Sequence, residues 1–327
     1  MTPEEKEFKA KLLSAFNSAD PAAFEKAAST GSSEFIRRSL REDAFFPAIL
    51  PFTTVTDSDL AQAVDTEEPF IICEMEAAQA MPKAISFHDS SETTPFYGEK
   101  FTVTFETNTT PKWYKNINYL RTYRHDIRQL LIDNSLRDLS RMKDVKGMRV
   151  VDEIVGPTPG AVSPVTGEQQ NILLPGRLTR NNWVSTKTYL TSRQLPNGCA
   201  LMNHVTFNEF SRWTREEMGG DMAQKLFLEG NSAFESTEIG GTKIIATLKN
   251  DIIPNGVMYM FTAPNYLGRA CVLQEPTMYV KKDKDMISVE TREIIGATIA
   301  NTMGLQKVTF QDVADPYGGD GRIIIKG

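Results

Sequence analysis

The longest helical signal in the chain lies between Asn118 and Lys146. Tyr123, Ile127, Leu130, Leu131 and Met142 recur at about 3.6-residue spacing on one side, and Leu139, Ile132 and Leu136 carry the apolar surface round towards the other. Asp126, Asp133 and Arg137 leave a narrow polar strip, which predicts a helix lying between two layers of structure. From Arg121 to Val145 such a helix runs roughly 37 Å at about 1.5 Å per residue. Gly147 is expected to end it as an αL residue, with Lys143 and Lys146 near the negative end of the helix dipole.

Before this helix the pattern is one of strands. Pro69 to Ala77 and Pro82 to His88 have strand composition, and Lys100 to Thr107 alternates cleanly, with Phe101, Val103 and Phe105 on one face and Thr102, Thr104 and Glu106 on the other. A polar tip, DSSETTPFYGE, lies between the last two, with Phe96 and Tyr97 near its end. The pattern predicts a long two-stranded ribbon, which is marginal in water unless a third layer covers it. Either it contacts another chain or it joins a larger sheet of its own.

Further upstream, residues 4 to 28 read as helical, restarting at Asp20-Pro21, and EFIRRSLRED opens a second amphipathic piece. Phe45, Phe46, Ile49, Leu50 and Phe52 follow, interrupted by Pro47 and Pro51, so neither a regular helix nor a central strand fits. This cluster is expected to be an extended arm that lies on a surface, its own core or a neighbouring subunit.

After the long helix, Gly156 to Gly176 is rich in Gly and Pro and predicts a long ordered loop. Residues 198 to 230 suggest an α/β block with apolar positions at helical spacing. Ile239 to Leu248 reads as a glycine turn and a buried strand, and Pro254-Asn255-Gly256 as a turn into the strand Val257 to Ala263. Two more strands, Thr277 to Lys282 and Met286 to Arg292, flank a charged turn. Glu293 to Lys307 favours strand over helix, and the terminal GRIIIKG suits an edge strand.

Composition narrows the function. With 327 residues, 40% of them hydrophobic, the chain can bury one large core or two modest ones. No run approaches the roughly 18 apolar residues of a membrane span, and the opening MTPEEKEFKAKLL is acidic where a signal peptide is basic and apolar, so a cytosolic chain with no membrane partner is expected. A net charge of −6 argues against tight nucleic-acid binding. Cys73, Cys199 and Cys271 have no metal or disulfide spacing and read as small buried hydrophobes. His88, His125 and His204 form no ligand pattern, His204 suiting a packed position at a helix start. There is no nucleophile elbow, dinucleotide fingerprint or phosphate loop, and GGTK at Gly240 to Lys243 lacks the spacing of one. No catalytic, cofactor-binding or metal residue is assigned, and an enzyme is the less favoured class.

The order of parts resembles a tailed-phage major capsid protein of the Hong Kong 97-type fold. The residues that carry this are the arm RRSLRED…FF…IL, the excursion ending YGEKFTVTFET, the helix RHDIRQLLIDNSLRDLSRM, the block MNHVTFNEF, and GGTKIIAT…IPNGVMYMFTAPNYLG…TMYVKKDKDMISVETREIIGATIAN. The resemblance implies an α+β fold divided into an N-terminal arm (1–66), an E-loop (67–110), a P-domain with spine helix (111–160), an A-domain (161–262), returning P-domain strands (263–294) and the end of the A-domain with the C-terminus (295–327). It implies a subunit that assembles with itself as hexamers and pentamers into an icosahedral virion shell around double-stranded DNA, which it contacts weakly and without sequence preference. Inter-subunit contacts are expected at Phe45, Phe46, Phe52, Phe96 and Tyr97.

Some members of that family carry a large N-terminal scaffolding domain. Here only about 66 residues precede the E-loop, which implies a separate scaffolding protein besides a portal and, in some shells, decoration proteins, with assembly in the host cytoplasm. Some members also form a lysine–asparagine isopeptide cross-link between subunits. Lys83 and Lys100 lie in the expected E-loop, but no motif marks either as reactive, so both are expected to be solvated or ion-paired. An encapsulin-like compartment shares the fold and loads an enzyme cargo in place of DNA. An α/β enzyme is the alternative of a different class.

Overall fold

In the computed structural model, the residues described are 42–62, 68–76, 98–116, 127–213, 238–283 and 285–314. In chain order they form the one-turn helix α1 (Phe46–Ile49), strands β1 (Phe52–Thr54), β2 (Phe70–Met75), β3 (Glu99–Thr104), β4 (Glu106–Thr109) and β5 (Trp113–Asn116), and the long helix α2 (Ile127–Val155). Then come β6 (Asn171–Leu174), α3 (Arg180–Ser192), β7 (Asn197–Asn203), α4 (His204–Phe207), β8 (Glu238–Ile239), β9 (Thr242–Thr247) and β10 (Val257–Thr262). The chain closes with β11 (Gly268–Asp283), β12 (Met286–Ile299), β13 (Leu305–Phe310) and α5 (Gln311–Ala314). The expected helices over residues 4–28, the strand Pro82–His88 and the segment GRIIIKG lie outside the described residues.

Three sheets organise these elements. The long hairpin β11–β12 is the spine of a five-stranded sheet: β1 runs parallel to β11 at one edge, while β4 and β5 share the other side of β12. Six strands in the order β6-β13-β10-β7-β9-β8 form a mixed second sheet. β2 and β3 make a separate antiparallel ribbon, Phe70 opposite Thr104 through Met75 opposite Glu99. Its alternation matches the sequence: Val103 and Phe105 are buried and Phe101 half-buried, while Thr102, Thr104 and Glu106 face solvent.

The six-stranded sheet is covered on both faces, which explains why every residue of β10 is buried. Because strand side chains alternate, Tyr259 and Phe261 join Cys199, Leu201 and Leu305 on the face that meets α1 and α2. Met258 and Met260 join Ala200, Met202, Val308 and Phe310 on the face covered by Trp183 and Leu190 of α3. α3 is poor in strong helix formers, yet Thr186, Thr188 and Thr191 return their hydroxyls to the carbonyls four residues back, and Thr179 caps its start by accepting from the Asn182 N–H.

Two expectations for α2 are corrected. The helix does not end near Val145 but runs on to Val155, where Gly156, at φ +91°, terminates it in the left-handed region. Nor do both flanks lie against other layers. Asp144, Gly147, Met148, Val151, Ile154 and Val155 are buried, whereas Leu136, Met142, Val145 and Val150 are exposed. Gly147 sits inside the helix because the Phe46 ring of α1 occupies the space a Cβ would need. The expected loop Gly156 to Gly176 is also shorter than its composition suggests: Asn171–Leu174 is a strand parallel to β13. Glu293 to Lys307 is strand at both ends, as favoured, with a 3-10 turn at Thr302–Gly304 between.

The Gly147–Phe46 contact makes a test whose sign is decisive. In an exposed helix Gly→Ala stabilises by about 1 kcal/mol, but here the added methyl displaces a packed ring, a cost of about 1–3 kcal/mol. Gly147→Ala should therefore lower the urea midpoint, while in a Phe46→Ala background the same change should raise it. A raised midpoint for Gly147→Ala alone would show that the ring does not need the notch.

Candidate functional site

Where α2 passes the arm, its polar side chains tie together parts of the chain that are remote in sequence. Asp144 has no exposed surface; its Oδ1 accepts the Phe46 N–H at 2.9 Å and its Oδ2 accepts Lys249 Nζ at 2.6 Å. Lys249 also donates to the Asp43 carbonyl and lies 5.5 Å from the centre of the Phe45 ring. Glu42 completes the tie by accepting from the Thr247 hydroxyl and the Leu248 N–H. The arm is thus clamped between α2 and the loop after β9.

One residue earlier on α2, Lys143 lies 2.8 Å from Oε2 of the fully buried Glu293 of β12, whose Oε1 accepts from Asn108 Nδ2 on β4. Lys143 also stands 5.7 Å from the centre of the Phe52 ring. Lys146 donates to Asn108 Oδ1 at 2.6 Å and to Glu106. Near the helix end, Asp152 accepts from the Tyr259 hydroxyl and Lys307 Nζ, reaching the six-stranded sheet. Lys143 and Lys146, expected to serve the last helical turn, instead pin α2 to the five-stranded sheet.

An open groove of about 850 Å³ runs beside α2, lined by Val145, Met148, Arg149, Asp152, Asp251 and Lys307 among others. Its charges are neutralised in place: Arg149 pairs with Glu153, Asp251 with Arg141 and Lys307 with Asp152. Among the described residues no group of three His, Cys, Asp or Glu side chains could hold a metal ion. The groove offers apolar wall and paired charge, which suits a contact surface better than proton transfer.

The structure places the expected contact residues unevenly. Phe45 and Phe46 are buried in their own chain's core. The prolines explain the placement: Pro47 lies in the first turn of a single-turn helix and Pro51 follows its end, and that turn brings the Phe46 ring onto Gly147 of α2. Phe52 is half-buried, edge-on to Phe46 at 6.3 Å. Phe96 and Tyr97 lie outside the described residues. Large apolar groups that are exposed stand elsewhere: Ile72 on the outer face of the ribbon, at 52%, and Trp113 and Tyr114 on β5, at 44% and 72%. Ile72 could have been found as the odd residue out in the buried alternation Ile71, Cys73; β5 carries no such signal.

Burial outweighs the Lys249 and Phe46 hydrogen bonds at Asp144 and holds its carboxyl above the usual range. A raised folded-state value means that the folded chain binds the proton more tightly than the unfolded one. Stability from this group is then full below the ordinary value of about 3.9 and is lost as pH rises through the raised one. The urea midpoint of the wild type minus that of Asp144→Asn should fall with pH across that window and be flat above it. A difference that rises with pH would reverse the assignment.

No family model matches the sequence, and no curated protein does. Solved structures do match the fold. The capsid asymmetric unit of cyanophage Pam1 superposes with a TM-score of 0.58 at 13% identity, over 90% of this chain and 98% of that one. The capsid of cyanophage P-SCSP1u gives 0.58 at 8% identity over 87% and 94%. The capsid of the native GTA particle gives 0.53 at 14% identity over 90% and 99%. At such identities the likeness is one of fold, and it spans nearly all of the chain. The mixed α+β architecture of this protein is that of the phage capsid proteins its element order resembles.

Proposed function

We propose that the chain is a structural subunit of a tailed-phage capsid of the Hong Kong 97 type, which assembles with copies of itself, as hexamers and pentamers, into a closed shell around double-stranded DNA. One observation carries this reading: the likeness to capsid structures extends over 86–90% of the chain and nearly the whole of each matched chain. In this reading the β2–β3 ribbon is the base of the E-loop, the five-stranded sheet with α2 is the P-domain, and the six-stranded sheet with α3 is the A-domain. Net charge −6 suits a wall that confines DNA without gripping it. A separate scaffolding protein, a portal and decoration proteins complete the set of partners, with assembly in the host cytoplasm.

The ribbon and β5 supply the contact surfaces. Ile72 and Tyr114 expose apolar area that no element of the described chain covers, and interfaces favour such groups at their centres. Negative-stain microscopy of the purified protein should show closed shells of regular diameter, and a monodisperse monomer at assembly concentrations would sink the reading. Ile72→Lys and Tyr114→Asp should each reduce particle yield by at least about tenfold while shifting subunit stability within about 0.5 kcal/mol. Unchanged yield from both variants would remove these surfaces from the interface.

Lys100 lies 3.9 Å from Glu74 across the ribbon, the arrangement of an ordinary exposed ion pair. Particles should accordingly dissociate on boiling in detergent to a single band near 36.6 kDa. A ladder of multiples would show covalent joining and direct attention to Lys100 and Lys83.

A further inference from the structure

Two of the three free cysteines share one apolar cluster. Cys73 lies in β2, at the base of the ribbon, and Cys271 in β11 of the five-stranded sheet. Both are buried in one cluster with Val55, Ile71, Val103 and Phe105. Arg269 precedes Cys271 by two residues in β11, so their side chains share a sheet face. Its Nη1 is 3.6 Å from Cys73 Sγ, and the same guanidinium interacts electrostatically with the Cys271 thiol. On the far side, Thr53 Oγ1 lies 3.5 Å from Cys271 Sγ. One guanidinium beside Cys73 and two residues from Cys271 along β11 brings both thiols into one region of the core.

We propose that Cys73 and Cys271 form a redox-sensitive pair that closes into a disulfide when the protein meets a disulfide oxidant such as oxidised glutathione, stapling the ribbon to the five-stranded sheet. The Cys73 thiolate attacks one glutathione sulfur, forming a mixed disulfide and expelling one reduced glutathione. Cys271 then attacks Cys73 Sγ, forming the protein disulfide and expelling the second. Two protein thiols are oxidised, one glutathione disulfide is reduced to two thiols, and the two cysteine protons end on them. Arg269 provides a permanent positive charge beside each sulfur while it carries negative charge. In reducing surroundings apolar packing and Arg269 hold the ribbon base; in oxidising surroundings a covalent bond does. The proposal concerns the single chain and stands independently of what the chain assembles into.

Cys199 is the internal control. It lies in a different cluster, between α2 and the six-stranded sheet, and burial pushes its thiol up to about 12.

The full-length protein is incubated natively with oxidised glutathione, then denatured and labelled with N-ethylmaleimide. One label per chain is expected, on Cys199, with a Cys73–Cys271 linked peptide after digestion and three labels once dithiothreitol is added. The oxidised chain should also unfold at higher urea than the reduced one. Arg269→Gln should form the same disulfide about tenfold more slowly, and Cys73→Ser or Cys271→Ser should form none. Three labels after native oxidation, a disulfide that involves Cys199, or closure seen only in urea would each overturn the proposal. Because the labelling of the wild-type chain decides it, a variant that fails to fold leaves the test intact.

Discussion

The fold hinges on the close approach of Phe46 to the long helix at Gly147. A ring lying directly on a helix backbone brings its own N–H within 2.9 Å of Asp144, one turn away, and fixes the height at which the arm crosses. That height places Glu42 on the loop after β9 and carries the chain into β1, where Phe52, Thr53 and Thr54 pair with Ala270, Cys271 and Val272. With a side chain at 147 the arm would be pushed outward. Asp144 would then keep Lys249 as a partner but lose its amide, which in a buried carboxylate costs about 1–3 kcal/mol.

The same helix shows why buried charges persist in this core. Lys143, Asp144, Lys146 and Asp152 each reach a different strand or loop, and each partner is itself held by a second hydrogen bond or ring. The two buried pairs, Lys143–Glu293 and Lys249–Asp144, contribute little net stability compared with apolar replacements, yet breaking one side of either costs about 3–5 kcal/mol. Their effect is therefore on register. Four charges aimed at four partners join the Phe46–Gly147 contact in fixing how α2 lies along the sheets.

How much was legible in the sequence follows from the range of the forces involved. Period-two alternation over Phe101, Val103 and Phe105 reported β3 and its two faces correctly, because one face meets the core and the other meets water, while its partner strand proved to be Phe70–Met75. β10 and β12 were legible for similar reasons, through turn residues and β-branched runs. Gly147 misled because a glycine after a basic helical turn ordinarily caps it; what kept it inside the helix was a ring from a residue about a hundred positions away. Phe45 and Phe46 were ambiguous between core and partner for the same reason. α3 left little signal, since its threonines depend on their own backbone for hydrogen bonds and its fully buried apolar residues are only Trp183 and Leu190. Trp113 and Tyr114 could not be told from core aromatics, since exposure depends on which side of β12 the strand adds to.

The ribbon stands apart from this network. β3 and β4 are separated by one residue, Phe105, yet belong to different sheets. Phe105 is buried and its N–H donates to the Pro69 carbonyl at 3.0 Å, so both ribbon strands are anchored at the same level. Beyond that level the contacts become sparse: Ile71, Cys73 and Val103 still pack inward, while Ile72, Glu74 and Lys100 face outward and Met75 opposite Glu99 ends the described pairing. A two-stranded sheet gains too little from its own pairing to be rigid in water. Its direction is set at the base by the apolar cluster of Val55, Ile71, Cys73, Val103 and Phe105.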